Sequence, residues 1–167
     1  MEVKNLKLIA RTEDDLRVVS AHLQDAIANV ADIANLEKNK IFLMQLNRFM
    51  WEDVEKGVFR KNKRIRTMLK FDNVIKAVSK NINQSKKDKF LDFLTIETNQ
   101  MPDNNYEMKI VFAGNSMIKI ISEVIESQIQ EDNSEKSENL LESLEMAIES
   151  KQTKHYSRYT RRTSYER

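Results

Sequence analysis

Residues 106–121 read YEMKIVFAGNSMIKII. Two strand-patterned runs, Tyr106–Ala113 and Ser116–Ile121, flank Gly114-Asn115. Glycine has no Cβ and asparagine tolerates the left-handed region, so this dipeptide supplies the two positive φ angles of a tight hairpin turn. The antiparallel pair it implies sets the fold class, because strand patterns recur on the upstream side.

Working outward, Phe90–Thr98 is a further strand pattern, separated from the hairpin by Asn99–Asn105, a turn region holding the only proline, Pro102. Asn83–Lys89 before it is a polar loop. Arg64–Phe71 alternates: Ile65, Leu69 and Phe71 face one way, and Arg64, Arg66 and Lys70 the other. Asp72-Asn73 suits a tight turn, so Val74–Ile82 is expected to return as the partner of Arg64–Phe71. Asn29–Leu36 and Lys40–Trp51 read as two strands joined through Glu37-Lys38-Asn39. Phe42, Met44 and Leu46 share one face of the second, while Ile41 and Leu43 lie on the other. Apolar side chains on both faces predict a central strand covered on both sides.

Leu6–Ala10 is a short strand pattern. Thr12 then stands where a helix N-cap belongs, with Glu13, Asp14 and Asp15 in the first turn, where carboxylates suit the positive helix end. Leu16, Val19, Leu23 and Ile27 follow at spacings of three and four, which predicts an amphipathic helix over Asp14–Ile27. Beyond the hairpin, Ile121, Val124, Ile125, Gln128 and Ile129 switch to helical spacing, which predicts a second helix. The expected fold is α+β: a mostly antiparallel, curved sheet of about six or seven strands, with one helix after the first strand and one after the last hairpin. Residues 1–130 form this single domain. Residues 131–150 are an acidic linker in which Leu140, Leu141, Leu144 and Ile148 fit a short helix, and 151–167 a basic tail without order of its own.

The 167-residue chain is long enough to bury a core without disulfides or metal. It contains no cysteine, which excludes a disulfide framework, a thiolate metal site and a cysteine nucleophile. Its two histidines, His22 and His155, argue against a His-rich metal site. Two glycines exclude a glycine-rich phosphate cradle. No apolar run approaches the ~20 residues of a membrane helix, and the N-terminus lacks the apolar core of a signal peptide. These observations predict a cytoplasmic protein with no membrane association, no metal and no cofactor. Net charge is +2, unevenly spread: residues 131–150 carry one basic and seven acidic groups, and residues 151–167 six basic and one acidic. The two segments have opposite signs and can attract each other.

Four segments together resemble a known family: Leu6-Lys-Leu-Ile-Ala10, Ser20-Ala-His-Leu-Gln-Asp25, Leu46-Asn-Arg-Phe-Met-Trp-Glu52 and Phe112-Ala-Gly114. Residues 6–130 are similar to a conserved alphaproteobacterial domain family of unknown function, family 2948. The end of the domain, Ile118 to Gln128, fits too, whereas the extension after Gln130 lies outside the likeness or matches it poorly. The resemblance implies a small bacterial cytosolic domain and supplies no activity, substrate or catalytic residue.

Candidate sites therefore rest on the residues. His22, Gln24 and Asp25 lie within one helical turn, and a histidine three residues from a carboxylate is a common general-base arrangement. Asn47, Arg48 and Glu52 end an apolar strand and can meet that face in a polar cleft. The competing reading is structural: His22 hydrogen-bonds a neighbouring strand, Asp25 holds the helix end against a loop, and Arg48 enters an ion pair with Asp25 or Glu52. Lys56–Arg66 holds six basic residues in eleven, and Arg64, Arg66 and Lys70 form a positive stripe of the kind that neutralises phosphates. The competing reading is a solvated loop and an edge strand guarded by its charges. In the tail, Tyr156, Tyr159 and Tyr165 interleave with Arg158, Arg161 and Arg162, a composition suited to single-stranded RNA. Catalytic residues are not assignable, and whether the chain is an enzyme stays open. The first functional expectation is a non-enzymatic module binding a macromolecule, either a protein or RNA. The second is a small-molecule binder or enzyme using His22, Asp25, Asn47 and Arg48.

Overall fold

The computed structural model describes residues 6–49 and 64–132, together with Ile148. The elements in chain order are β1 (Lys7–Ala10), α1 (Glu13–Leu23), β2 (Ile27–Leu36), a single 3-10 turn (Glu37–Asn39), β3 (Ile41–Phe49), β4 (Arg64–Phe71), β5 (Val74–Lys80), β6 (Phe90–Gln100), β7 (Tyr106–Phe112), β8 (Ser116–Ser122) and β9 (Ser127–Asp132). The basic stretch at 56–63, Trp51 and Glu52, the linker helix residues Leu140, Leu141 and Leu144, and the tail at 151–167 fall outside the described residues. The fold is α+β, and its antiparallel sheet is open and has nine strands, not six or seven, in the order β1-β9-β4-β3-β2-β6-β7-β8-β5.

The first helix starts as its sequence dictates. Thr12 Oγ1 accepts from the Asp15 amide at 3.1 Å, and the Asp15 carboxylate accepts from the Thr12 and Arg11 amides at 3.2 and 3.0 Å. Three backbone donors are thereby satisfied, and the carboxylate is held below its ordinary pKa, chiefly by the Arg11 amide. Leu16, Val19, Ser20 and Leu23 turn inward. The helix ends at Leu23 rather than Ile27, because Asp25 adopts a φ of 62° and the chain re-enters the sheet at Ile27. The Gly114-Asn115 turn has φ angles of 76° and 60° and joins β7 to β8 as expected.

Two further expectations fail. The second helix does not form, and its end becomes β9, inserted between β1 and β4. Ser127, Ile129 and Glu131 are buried while Gln128 and Gln130 are not, a period of two. Ile121, Ile125 and Ile129 are four apart, a spacing that serves one face of a helix and one face of a strand equally. The second failure concerns β5, which pairs with β8, while β4 pairs with β3 and β9. Asp72-Asn73 is a corner, not a hairpin turn. Phe71 lies opposite Ser127 and Val74 opposite Ser122, so β4–β5 and β9–β8 form one continuous ribbon that bends. The bend is pinned by Asp72 N–H to Glu126 O at 2.9 Å and by Asn73 Nδ2 to Glu126 Oε2 at 2.7 Å.

The sheet bends again where β6 crosses β2, pairing over Ile27–Asn29 alone. These two corners fold the sheet onto itself around Phe42, Phe71, Phe93 and Phe112, with rings meeting at 6.3 Å (Phe42–Phe71) and 6.4 Å (Phe93–Phe112). β3 is central, as its two apolar faces predict: Phe42 and Met44 join this core, and on the opposite face Leu43 and Met68 are buried with Ile148, itself helical, packed against them. Among the described residues no helix is long and apolar enough to cross a membrane.

Candidate functional site

Of the polar residues at and near the end of α1, Asp25 and Asn47 come close enough for one guanidinium to bridge their carbonyls, whereas Arg48 is set apart in the core. The His22 ring sits in the last helical turn, its Nδ1 2.9 Å from the Val18 carbonyl. Gln24 is the exposed C-cap and borders a shallow hollow with Arg17, Ser20 and Leu94. Asp25 occupies the turn, its N–H donating to Phe93 O at 3.2 Å. Asn47 faces outward, whereas Arg48, one residue on, points into the core and is 1% exposed. Strand alternation puts neighbours on opposite faces, so Asn47 and Arg48 cannot line one cleft.

Arg48 is tied to Glu131, a residue the sequence reading left in the acidic linker. Its Nε donates to Glu131 Oε1 at 2.8 Å, its Nη2 reaches the same oxygen, and its Nη1 donates to Phe49 O at 3.2 Å. Glu131 Oε2 accepts the Leu6 amide at 2.9 Å, and the Glu131 amide donates to Leu6 O at 3.0 Å. This buried pair joins β3 to β9 and holds the start of β1. The signal that could have found it is the alternation Ser127, Ile129, Glu131, whose inward face runs straight into the acid.

The basic stripe is also engaged. Arg64 Nη1 donates to the carbonyls of Asp25 and Asn47 at 3.1 and 3.3 Å, which ties the turn after α1 to the end of β3. Burial raises the Asp32 carboxyl above its ordinary value, and the Arg66 guanidinium beside it pulls it partly back. Lys70 lies 3.2 Å from Asp72. The strand carrying these groups is interior to the sheet rather than an edge. Arg158, Arg161 and Arg162 lie outside the described residues.

A concavity the sequence did not announce lies between β2 and β5. Its volume is about 350 Å³; its floor is set by the apolar side chains Val30, Ile33, Phe42 and Ile118, and polar surface predominates in the lining, with Lys87, Gln84, Ser79 and Glu37 around it. It arises because two strands part. β2 is irregular between Ala28 and Ile33, where Val30 and Ala31 donate to the carbonyls of Lys89 and Lys87 at 3.0 and 3.3 Å. β5 touches the far side once, through Val74 N–H to Lys40 O at 2.9 Å. Past that bond, among the described residues, its backbone pairs with β8 alone. Beyond Ala31, β2 likewise pairs through its backbone only with β3. Two open strand edges therefore flank an apolar floor. Among the described residues no three His, Asp or Glu side chains group as metal ligands.

No curated protein matches the chain, and no solved structure does. A family match covers residues 6–144, running past Gln130, where the sequence reading ended the likeness, and so taking in all of β9. With most of its length inside that match, the chain belongs to the family described as Protein of unknown function (DUF2948).

Proposed function

We propose that the protein is a non-enzymatic interaction module of the bacterial cytoplasm that docks a protein partner in the cleft between β2 and β5. The observation that carries this reading is the pair of open strand edges bordering an apolar floor. An open edge presents unpaired N–H and C=O groups, and a partner that satisfies them gains main-chain hydrogen bonds while its side chains fill the floor. The volume, about 350 Å³, falls at the small end of the roughly 300–1,000 Å³ range of ligand sites, which suits a few side chains. The small-molecule or enzymatic reading at His22, Asp25, Asn47 and Arg48 has weaker support, since Arg48 is committed to Glu131 on the opposite face from Asn47. The RNA reading at Arg64, Arg66 and Lys70 is weakened likewise by the bonds these groups make within the sheet.

The test places a photo-crosslinking amino acid at Val78 or Gln84, beside the cleft, and at Gln24, on the α1 side, in living cells. Protein adducts at the first two positions that survive nuclease, and none at Gln24, are expected. Equal adducts at all three positions, or adducts removed by nuclease, would overturn the reading.

A further inference from the structure

We infer that the cleft receives an acidic, extended segment of the partner, added as a strand to the free edge of β5; this rests on reading the cleft as a protein-docking site. Charge is the second observation. Residues 74–90 hold five lysines, Lys76, Lys80, Lys86, Lys87 and Lys89, against one acid, Asp88. All five are exposed, and none has an ion-pair partner among the described residues. Elsewhere Lys40 pairs with Glu123, Lys70 with Asp72, and Lys109 and Lys119 with Glu107, while Lys7 on β1 and Lys38 in the 3-10 turn are exposed and have no ion-pair partner among the described residues. Five of the seven unpaired lysines among the described residues thus lie within one stretch that includes the terminal strand β5 and the loop beside the cleft, whereas the opposite terminal strand, β1, carries one, Lys7.

Lysine on an edge strand ordinarily repels chance pairing. The same charges attract a strand that carries carboxylates in register, so they select as well as protect. The register states which face does which. Lys76, Val78 and Lys80 lie opposite Ile121, Lys119 and Met117, on the outer face, while Ala77 and Ser79 lie opposite Ile120 and Ile118, on the core face. A strand laid beside β5 thus meets lysines on its outer face and the apolar floor on its inner face. It should alternate acidic and small apolar residues. Among the residues that line the cleft itself Lys87 is balanced by Glu37, so the excess positive charge comes from Lys76, Lys80, Lys86 and Lys89 around it.

The probe is a fluorescent peptide of about eight residues alternating Glu and Val, titrated into the full chain and followed by anisotropy. Saturable binding is expected, weakening severalfold between about 50 and about 250 mM salt, since exposed charges are screened over this range. The double variant Lys76→Glu, Lys80→Glu should weaken it at least tenfold. Both side chains point outward, and an unchanged circular dichroism spectrum checks that the fold persists. N-methylation of alternate peptide amides should abolish binding, and hydrogen exchange should show new protection in β5. A matching Lys-Val peptide that binds as well would overturn the acidic preference while leaving a docking cleft. An N-methylated peptide that binds as well would overturn strand addition. An oligouridylate that displaces the probe with equal potency would reduce the site to a general polyanion patch. Absence of any binding sinks the inference, and the crosslinking pattern at Val78 and Gln84 then decides separately whether the cleft docks a protein at all.

Discussion

Replacing Glu131 with Ala should be among the most damaging single changes in the described fold. Arg48 is 1% exposed and Glu131 4%, so neither charge can turn to water without opening the sheet. The carboxylate serves three donors: Arg48 Nε, Arg48 Nη2 and the Leu6 amide. Its loss strands a desolvated guanidinium together with the Leu6 amide, just before β1. Removing one partner of a buried pair costs about 3–5 kcal/mol, whereas replacing both with apolar groups of similar volume is often close to neutral. For a chain of this size each kcal/mol moves the midpoint by about 2–4 °C, so Glu131→Ala should lower Tm by roughly 6–20 °C. Arg48→Met with Glu131→Leu should recover most of that, although the Leu6 amide still lacks its acceptor. Denaturant unfolding of the two single variants and the double variant gives the coupling energy, and hydrogen exchange at Leu6–Ala10 tests whether β1 loosens first. A single-variant loss under about 1 kcal/mol, or a double variant as unstable as the sum of the singles, would refute this account.

Two further outcomes follow from other buried polar contacts. Ser20 Oγ lies 3.1 Å from Thr95 Oγ1 and accepts the Ile96 amide at 3.1 Å, beside the register shift that β6 makes against β7 between Phe93 and Thr95, so Ser20→Ala should cost about 1–3 kcal/mol in the same unfolding assay, and no loss would show that this irregularity does not need the bond. Burial raises the folded-state pKa of Asp32 above its ordinary 3.8, so its ionised form destabilises the fold at pH values above the raised pKa, and the penalty fades as pH falls through that value. Asp32→Asn should therefore gain stability relative to the parent as pH rises through that window, and a constant difference across it would show that Arg66 offsets the burial in full.

How much of this was legible depends on whether the signal was local. The Thr12 cap, the Gly114-Asn115 turn and the two-faced β3 are decided by neighbouring residues or by one strand's own alternation, and each was readable. The partner of β4 was not. Asp72-Asn73 has the composition of a hairpin turn, and Asn73 does take a positive φ of 57°, but whether the chain reverses or turns a corner depends on Glu126, more than fifty residues away. β9 was hidden for a related reason: a spacing of four residues satisfies both periods, and only the neighbours β1 and β4 decide between them. Arg48 illustrates the same limit at the level of a site. Its place next to Asn47 in sequence suggested a shared cleft, while the strand's period of two sent them to opposite faces.

The corner that defeated the hairpin reading is also what creates the cleft. Had β5 returned along β4, its inner edge would have been paired and no gap would exist beside β2. Instead the β4–β5 turn carries β5 across to β8, with one bond back to Lys40 as it leaves. The gap does not then close by β5 meeting β2, because the loop 81–89 is anchored at both ends. Asn81, with a φ of 56°, donates through Nδ2 to Asn115 O at 2.9 Å and accepts Ser116 Oγ through its carbonyl at 2.9 Å. At the other end, Lys87 and Lys89 accept from Ala31 and Val30. The two edges are held apart by bonds that belong to the fold itself, so the opening is present before any partner arrives. A strand that enters it meets a preformed edge, and little ordering cost falls on the protein's side of the association.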